Sequence, residues 1–141
     1  MQKNNWWIIG LIFILGFTLW QNRFILENKY DAEYLDNFYY HSQWNIPNSV
    51  RVMGDGDLYQ FTGYRLVMGE SPFDINFMVP PLGKYLFGLG VVWFGNPLVV
   101  NLSAYIGSLI LLFFISLKLI GKRGFYWLPV IILALNPLVI T

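Results

Sequence analysis

From Tyr85 to Leu117 the chain runs for 33 residues without a charged side chain. A helix that crosses a bilayer needs about 20 apolar residues, so this tract is too long for one ordinary span and too short for two joined by a turn. Gly95-Asn96-Pro97 divides it. Before the break lie ten apolar residues, Tyr85 to Phe94; after it lie twenty, Leu98 to Leu117, and only these are long enough to cross unaided. Two more uncharged tracts follow the same logic, the 19 residues Asn4 to Asn22 and the 18 residues Gly124 to Thr141. Charged residues make up 12% of the chain, about half of what a soluble domain carries, which points to a membrane protein.

The expected fold class is therefore all-α integral membrane, with three transmembrane helices at 4–22, 98–119 and 124–141. Residues 23–84 form a large polar outer loop with amphipathic helices, and residues 85–95 a short interfacial juxtamembrane helix. Trp6, Trp7 and Trp20 stand at the two ends of the first span, where amphipathic rings favour the headgroup layer. A cleaved signal peptide is the rival for this tract, but no small-x-small site follows Phe17-Thr18-Leu19-Trp20. Basic residues near span ends favour the cytoplasm. With Lys3 inside, the loop lies outside and the Lys118–Arg123 turn returns inside, giving a multi-pass protein of the cell membrane with a cytoplasmic N-terminus.

Charge is distributed as unevenly as hydropathy. All eight acidic residues fall between Glu27 and Asp74. No basic run with interleaved aromatics exists, which argues against a nucleic-acid partner. Cysteine is absent, so neither disulfides nor Cys-ligated metals enter. Within the loop, Phe24, Tyr30, Tyr34 and Phe38 recur at helical spacing and predict one helix over 23–40. Leu58, Phe61, Arg65 and Leu66 predict a second over 57–68, preceded by Gly54-Asp55-Gly56 and closed by Gly69. Residues 39–47 read as irregular.

Chemistry concentrates in Met53-Gly54-Asp55-Gly56-Asp57 and Val79-Pro80-Pro81-Leu82-Gly83-Lys84. Asp55 and Asp57 have three readings: general base toward an acceptor hydroxyl, ligands of a divalent metal, or N-caps of the helix that follows. Lys84 sits one turn into a helix opened by Pro-Pro, where a cation suits a lipid phosphate or simply snorkels to headgroups. Arg65 and Arg51 are further phosphate contacts or ordinary solvated arginines. His41, the single histidine, reads as a hydrogen-bonding loop residue. The aromatics from Tyr30 to Trp44 either pack on the membrane face or stack on a sugar.

The order of these features resembles the GT-C glycosyltransferases, in particular the protein O-mannosyltransferase and aminoarabinose transferase group. The resemblance rests on Gly54-Asp55-Gly56-Asp57-Leu58-Tyr59, Gly69-Glu70-Ser71-Pro72-Phe73 and Pro80-Pro81-Leu82-Gly83-Lys84-Tyr85, and extends over about positions 50 to 141. It departs from the family pattern at Gly56, where a second acid usually follows the Asp, and at Val79, where a Lys or His often precedes Pro-Pro. The resemblance implies the N-terminal part of an enzyme that moves a sugar from a polyprenyl-phosphate carrier to an acceptor hydroxyl of a protein, lipid or glycan. It implies Asp55 as the catalytic base, with Asp57 beside it, and Lys84 and Arg65 as lipid-phosphate contacts. No metal site and no cofactor is expected, a divalent metal at Asp55/Asp57 being the less favoured alternative. Family members are several times longer, so the chain is expected to be a fragment. Two other readings stay open: a metal-dependent oligosaccharyltransferase-like protein, and a non-enzymatic membrane scaffold or binding protein.

Overall fold

The computed structural model describes residues 6–76, 78, 80–121 and 125–136. Among them the chain is helical, with α1 (Trp6–Gln21), α2 (Phe24–Glu27), α3 (Ala32–Tyr40), α4 (Asp55–Val67), α5 (Pro72–Ile75), α6 (Pro81–Phe94), α7 (Val99–Ile120) and α8 (Leu128–Ala134), and no strand. The described residues divide into two compact units, one built from residues 6–26, 101–121 and 125–136, the other from residues within 27–100.

The first unit packs α1, α8 and the greater part of α7 around Leu109, Phe113, Val130 and Ala134. Its centre is aromatic: Phe113 stacks on Trp7 at 5.9 Å between ring centroids and tilts against Trp127 at 4.8 Å. Gly10 lets Trp127 in, since a Cβ there would lie 2.9 Å from the indole ring. The Tyr105 hydroxyl lies within hydrogen-bonding reach of the carbonyls of Leu133 (2.5 Å) and Asn136 (2.6 Å), tying α7 to the end of α8.

Around its apolar core this unit leaves much apolar surface exposed and buries a few polar side chains. Thr18, Asn22 and Ser116 are buried, whereas Ile12, Phe13, Leu111, Phe114 and Leu119 are exposed. Helix α7 has 22 residues, about 33 Å at 1.5 Å per residue, and is long and apolar enough to cross a membrane. It matches the span expected at 98–119. Helix α1 has 16 residues within the tract expected at 4–22, about 24 Å. Of the span expected at 124–141, only the seven residues of α8 are helical among the described residues; Gly124 and residues 137–141 lie outside them. Three crossings are thus not what the described helices display; one helix has the full length.

In the second unit, α3 and α4 share a core of Leu35, Tyr39, Met53, Leu58, Phe61, Leu66 and Ile75, with Tyr30, Phe38 and Trp44 packed against it. Tyr39 stacks on Phe61 at 4.3 Å and donates its hydroxyl hydrogen to the Ile75 carbonyl. The sequence offers a membrane face or a sugar as partner for the loop aromatics; Tyr30, Phe38, Tyr39 and Trp44 instead build this core. The single helix expected over 23–40 is broken. Asp31 adopts an extended conformation and caps α3 by accepting from the Tyr34 N–H (2.9 Å), while the Tyr30 N–H is drawn to the Gly95 carbonyl (2.9 Å).

Helix α4 ends as its sequence predicts. Gly69 has φ +97°, its N–H bonds to Leu66, and the Glu70 N–H bonds to Arg65, the paired closure of a Schellman motif. Arg65 locks this corner: one guanidinium nitrogen meets Asp36 (2.8 Å), the other Glu70 (2.7 Å), and the plane lies 5.3 Å over Phe61. Those hydrogen bonds, Glu70 first and Asp36 next, raise the guanidinium's proton affinity above its ordinary value. Both pairs are partly exposed, so solvent screening holds their worth to about 1–2 kcal/mol together. Arg65→Met, which keeps most of the apolar stem, is expected to lower stability by about that amount and to make the thermal midpoint in detergent less sensitive to added salt. An unchanged midpoint would show that the two pairs contribute nothing to folding.

Candidate active site

Helices α4 and α6 meet backbone to backbone. A Cβ built on Gly63 would lie 2.2 Å from the Lys84 carbonyl oxygen, and one on Gly88 would lie 2.1 Å from the Gly63 carbonyl oxygen. The register fixes their direction. Tyr59 covers Gly83 and meets Phe87 edge-on at 5.8 Å, Gly63 meets Lys84 and Gly88, and Val67 reaches Gly88. Positions rise together on both helices, so the two run parallel and their N-termini share one end of the unit. Asp55 lies one turn before Tyr59, about 6 Å along the axis, and Pro81 about 3 Å before Gly83.

The sequence placed both aspartates around the start of a helix from residue 57; the structure begins α4 at Asp55 itself. Gly54 is the N-cap and, having no side chain, makes no capping bond, so neither aspartate is the cap. Among the described residues neither carboxylate takes a hydrogen bond or an ion pair. Asp55 is exposed; Asp57 is half-buried, and desolvation pushes its carboxyl above the ordinary range. The two differ in environment, one wet and one shielded, though a single residue separates them.

A clamp that sequence reasoning missed sets the entry to α4. The Gln43 side chain donates to the Met53 carbonyl (2.9 Å) and accepts from the Met53 N–H (2.8 Å). The Trp44 indole N–H reaches the same carbonyl (3.3 Å), and the Gln43 N–H bonds to Arg51 (3.1 Å). Residue 53 is therefore pinned on both backbone groups, immediately before Gly54 and Asp55. An isolated Gln in a turn-rich stretch carries no periodic signal, and only the folded loop brings it ten residues forward.

Lys84 is not a headgroup lysine. Its side chain is 1% exposed, and its ammonium donates to the carbonyl (2.5 Å) and to the amide oxygen (3.1 Å) of Asn76. Burial lowers its pKa from the usual lysine value. Helix α6 starts at Pro81, as the Pro-Pro pair predicts, but it turns Lys84 inward on the face that meets Gly63. A direct lipid-phosphate contact by this group, and snorkelling, are both replaced by an internal bond that holds the Asn76 end of the connection into α6.

Arg65 likewise departs from its expected role. It lies ten residues beyond Asp55, about 15 Å along α4, and both carboxylate partners already occupy it. Arg51 donates to the Asn37 side chain (3.2 Å), and the His41 ring nitrogen Nδ1 lies 2.8 Å from the Asn37 carbonyl, the loop role expected of it. Among the described residues no three His, Asp or Glu side chains converge, so a cation held by Asp55 and Asp57 would complete its shell from water or a bound phosphate. What the arrangement brings together is the acidic pair of α4 and the uncapped start of α6, whose N-cap Pro80 also makes no side-chain capping bond. Set against family models, curated proteins and solved structures, the chain matches none.

Proposed function

We propose that this chain is part of a membrane transferase that moves a sugar from a polyprenyl-phosphate carrier to an acceptor hydroxyl at the outer membrane face. The observation that carries the reading is the parallel pairing of α4 and α6. It sets two carboxylates that have no partner among the described residues at the same end as the start of α6, where the N–H groups of Leu82 and Gly83 and the helix dipole favour an anion. The likeness of Gly54–Tyr59 and Pro80–Tyr85 to the GT-C motifs adds support.

In this reading a carboxylate of the pair takes the proton from the acceptor hydroxyl as its oxygen attacks the anomeric carbon. The bond from that carbon to the phosphate oxygen breaks, and the lipid phosphate leaves as an anion. A single displacement inverts the anomeric configuration. Asp57, rather than the Asp55 that the resemblance implies, suits the proton transfer, because it is half-buried and a desolvated carboxylate with raised proton affinity is the stronger base. Asp55, exposed beside it, is placed to orient the acceptor. Lys84 and Gln43 act as positioning residues, holding the chain on either side of the site.

The test is transfer of labelled sugar from a polyprenyl-phosphate donor in membranes containing the protein expressed from its whole reading frame. Activity is expected to persist in excess EDTA, because the leaving group is already charged and the base is a carboxylate. Loss of transfer on chelation, restored by Mg²⁺ or Mn²⁺, would instead establish the metal-dependent reading. No transfer from any polyprenyl-phosphate sugar would remove the proposal.

A further inference from the structure

On its way into α4 the chain passes through Val50-Arg51-Val52-Met53 with one edge of its backbone occupied and the other open. Gln43 fills the occupied edge twice. Its main-chain N–H bonds to the Arg51 carbonyl (3.1 Å), and its side-chain amide exchanges bonds with the N–H (2.8 Å) and the carbonyl (2.9 Å) of Met53. A residue whose N–H and C=O both meet one partner amide is paired as in a β-ladder, so the backbone is extended there. The Arg51 N–H is held as well, by the Ser49 hydroxyl (3.1 Å). In an extended backbone successive residues turn their polar groups to opposite edges. Those of Val52 therefore point away from Gln43, and among the described residues neither Val50 nor Val52 makes a main-chain hydrogen bond. The Val50 and Val52 side chains are 96% and 72% exposed, whereas Met53 is anchored in the core.

We propose that this open edge docks an extended segment of another polypeptide, which pairs with Val52 as an added strand. Val52 offers one N–H and one C=O on the same side, and a single residue of an extended chain answers both at once. The two exposed valines favour β-branched side chains on the incoming strand. Lipid is excluded as the occupant of this edge, because hydrocarbon leaves main-chain polar groups without partners. The edge is also built in advance. The bonds from Gln43 to Arg51 and Met53, joined by the Trp44 indole N–H on the Met53 carbonyl (3.3 Å), fix the segment before a partner arrives, so little is left to order on binding. The inference stands without the transfer reading.

The probe is the fluorescein-labelled peptide Thr-Val-Thr-Val-Thr, added to the full chain in detergent and read by anisotropy. Saturable binding is expected. A peptide N-methylated at alternate residues keeps one hydrogen-bonding edge and should still bind; one methylated at every residue keeps none and should not. Val52→Pro deletes the N–H of the open edge alone and is expected to weaken binding about 2- to 10-fold, the worth of one hydrogen bond. Val52→Thr keeps both the N–H and the β-branch and should bind as wild type does. Should Val52→Pro fail to fold, as judged by its thermal midpoint, the methylated peptides decide alone. Absence of saturable binding, equal binding of the fully methylated peptide, or wild-type binding by a folded Val52→Pro each overturns the proposal. So does concentration-dependent dimerisation of the protein alone, followed by light scattering and lost in Val52→Pro, which would assign the edge to a second copy.

Discussion

Gly88→Val is expected to collapse the α4–α6 pair, lowering the thermal midpoint of the purified protein in detergent by many degrees and abolishing any transfer activity. The reason is backbone contact. A Cβ at residue 88 would lie 2.1 Å from the Gly63 oxygen, 2.5 Å from its carbonyl carbon and 2.7 Å from Val67 Cγ2. The two backbone atoms cannot swing aside as a side chain would. Overpacking against movable side chains costs about 1–3 kcal/mol, and valine here must force the helices apart, so about 3 kcal/mol or more is expected. Against a total stability of about 5–15 kcal/mol that is a large fraction. Gly63→Ala should behave similarly, since its Cβ would meet the Lys84 carbonyl at 2.2 Å. Gly107→Ala, inside α7 with nothing within 4 Å of the added Cβ, serves as the control and should melt near wild type. If Gly88→Ala and Gly63→Ala both melt with wild type, the helices are not in backbone contact, and the common end that assembles the candidate site loses its basis.

Asp57→Asn is expected to separate function from folding. As general base, Asp57 supplies about 10²- to 10⁴-fold of the rate, so transfer should fall by that factor. Stability should move the other way. The folded-state pKa of Asp57 is raised by desolvation, so between the ordinary carboxylate pKa and the raised value the folded protein binds more protons than the unfolded chain. Stability contributed by this group is therefore lost as pH rises through that window. Asparagine removes the titration, so the variant should be at least as stable as wild type at neutral pH, with its advantage fading as pH falls below the ordinary carboxylate range. The acid limb of the wild-type rate profile should also sit above the range of an ordinary aspartate. A variant with wild-type transfer shows that Asp57 is not the base. Asp55→Asn, run in parallel, separates the two carboxylates: a loss confined to Asp55 would move the base to the exposed position.

Much of the fold follows from local pattern. Helix α7 is legible because a long uncharged stretch bounded by Gly-Asn-Pro and Lys118 leaves a helix few alternatives. The end of α4 is legible because Gly69 needs a positive φ that few other residues accept. The break at Asn28–Asp31 was hidden, since the aromatic spacing continues through it and only the bond from Tyr30 to Gly95 shows why the chain turns there. The fates of Arg65 and Lys84 were hidden for a similar reason. Sequence assigns a charge to a position, but whether it meets Asp36, Asn76 or a phosphate depends on residues eight to twenty-nine places away.

By itself, then, the sequence determined where apolar length and charge permit a helix to leave water, because transfer free energy adds up along a single segment. It also determined that the acids of Asp55 and Asp57 stand at the start of a helix. Only the tertiary structure decided that α4 and α6 run parallel through Gly63 and Gly88, that Lys84 turns inward, and that Gln43 pins Met53. These depend on close approach between segments distant in the chain, where the absence of a Cβ or the reach of one amide settles the geometry and leaves no periodic trace.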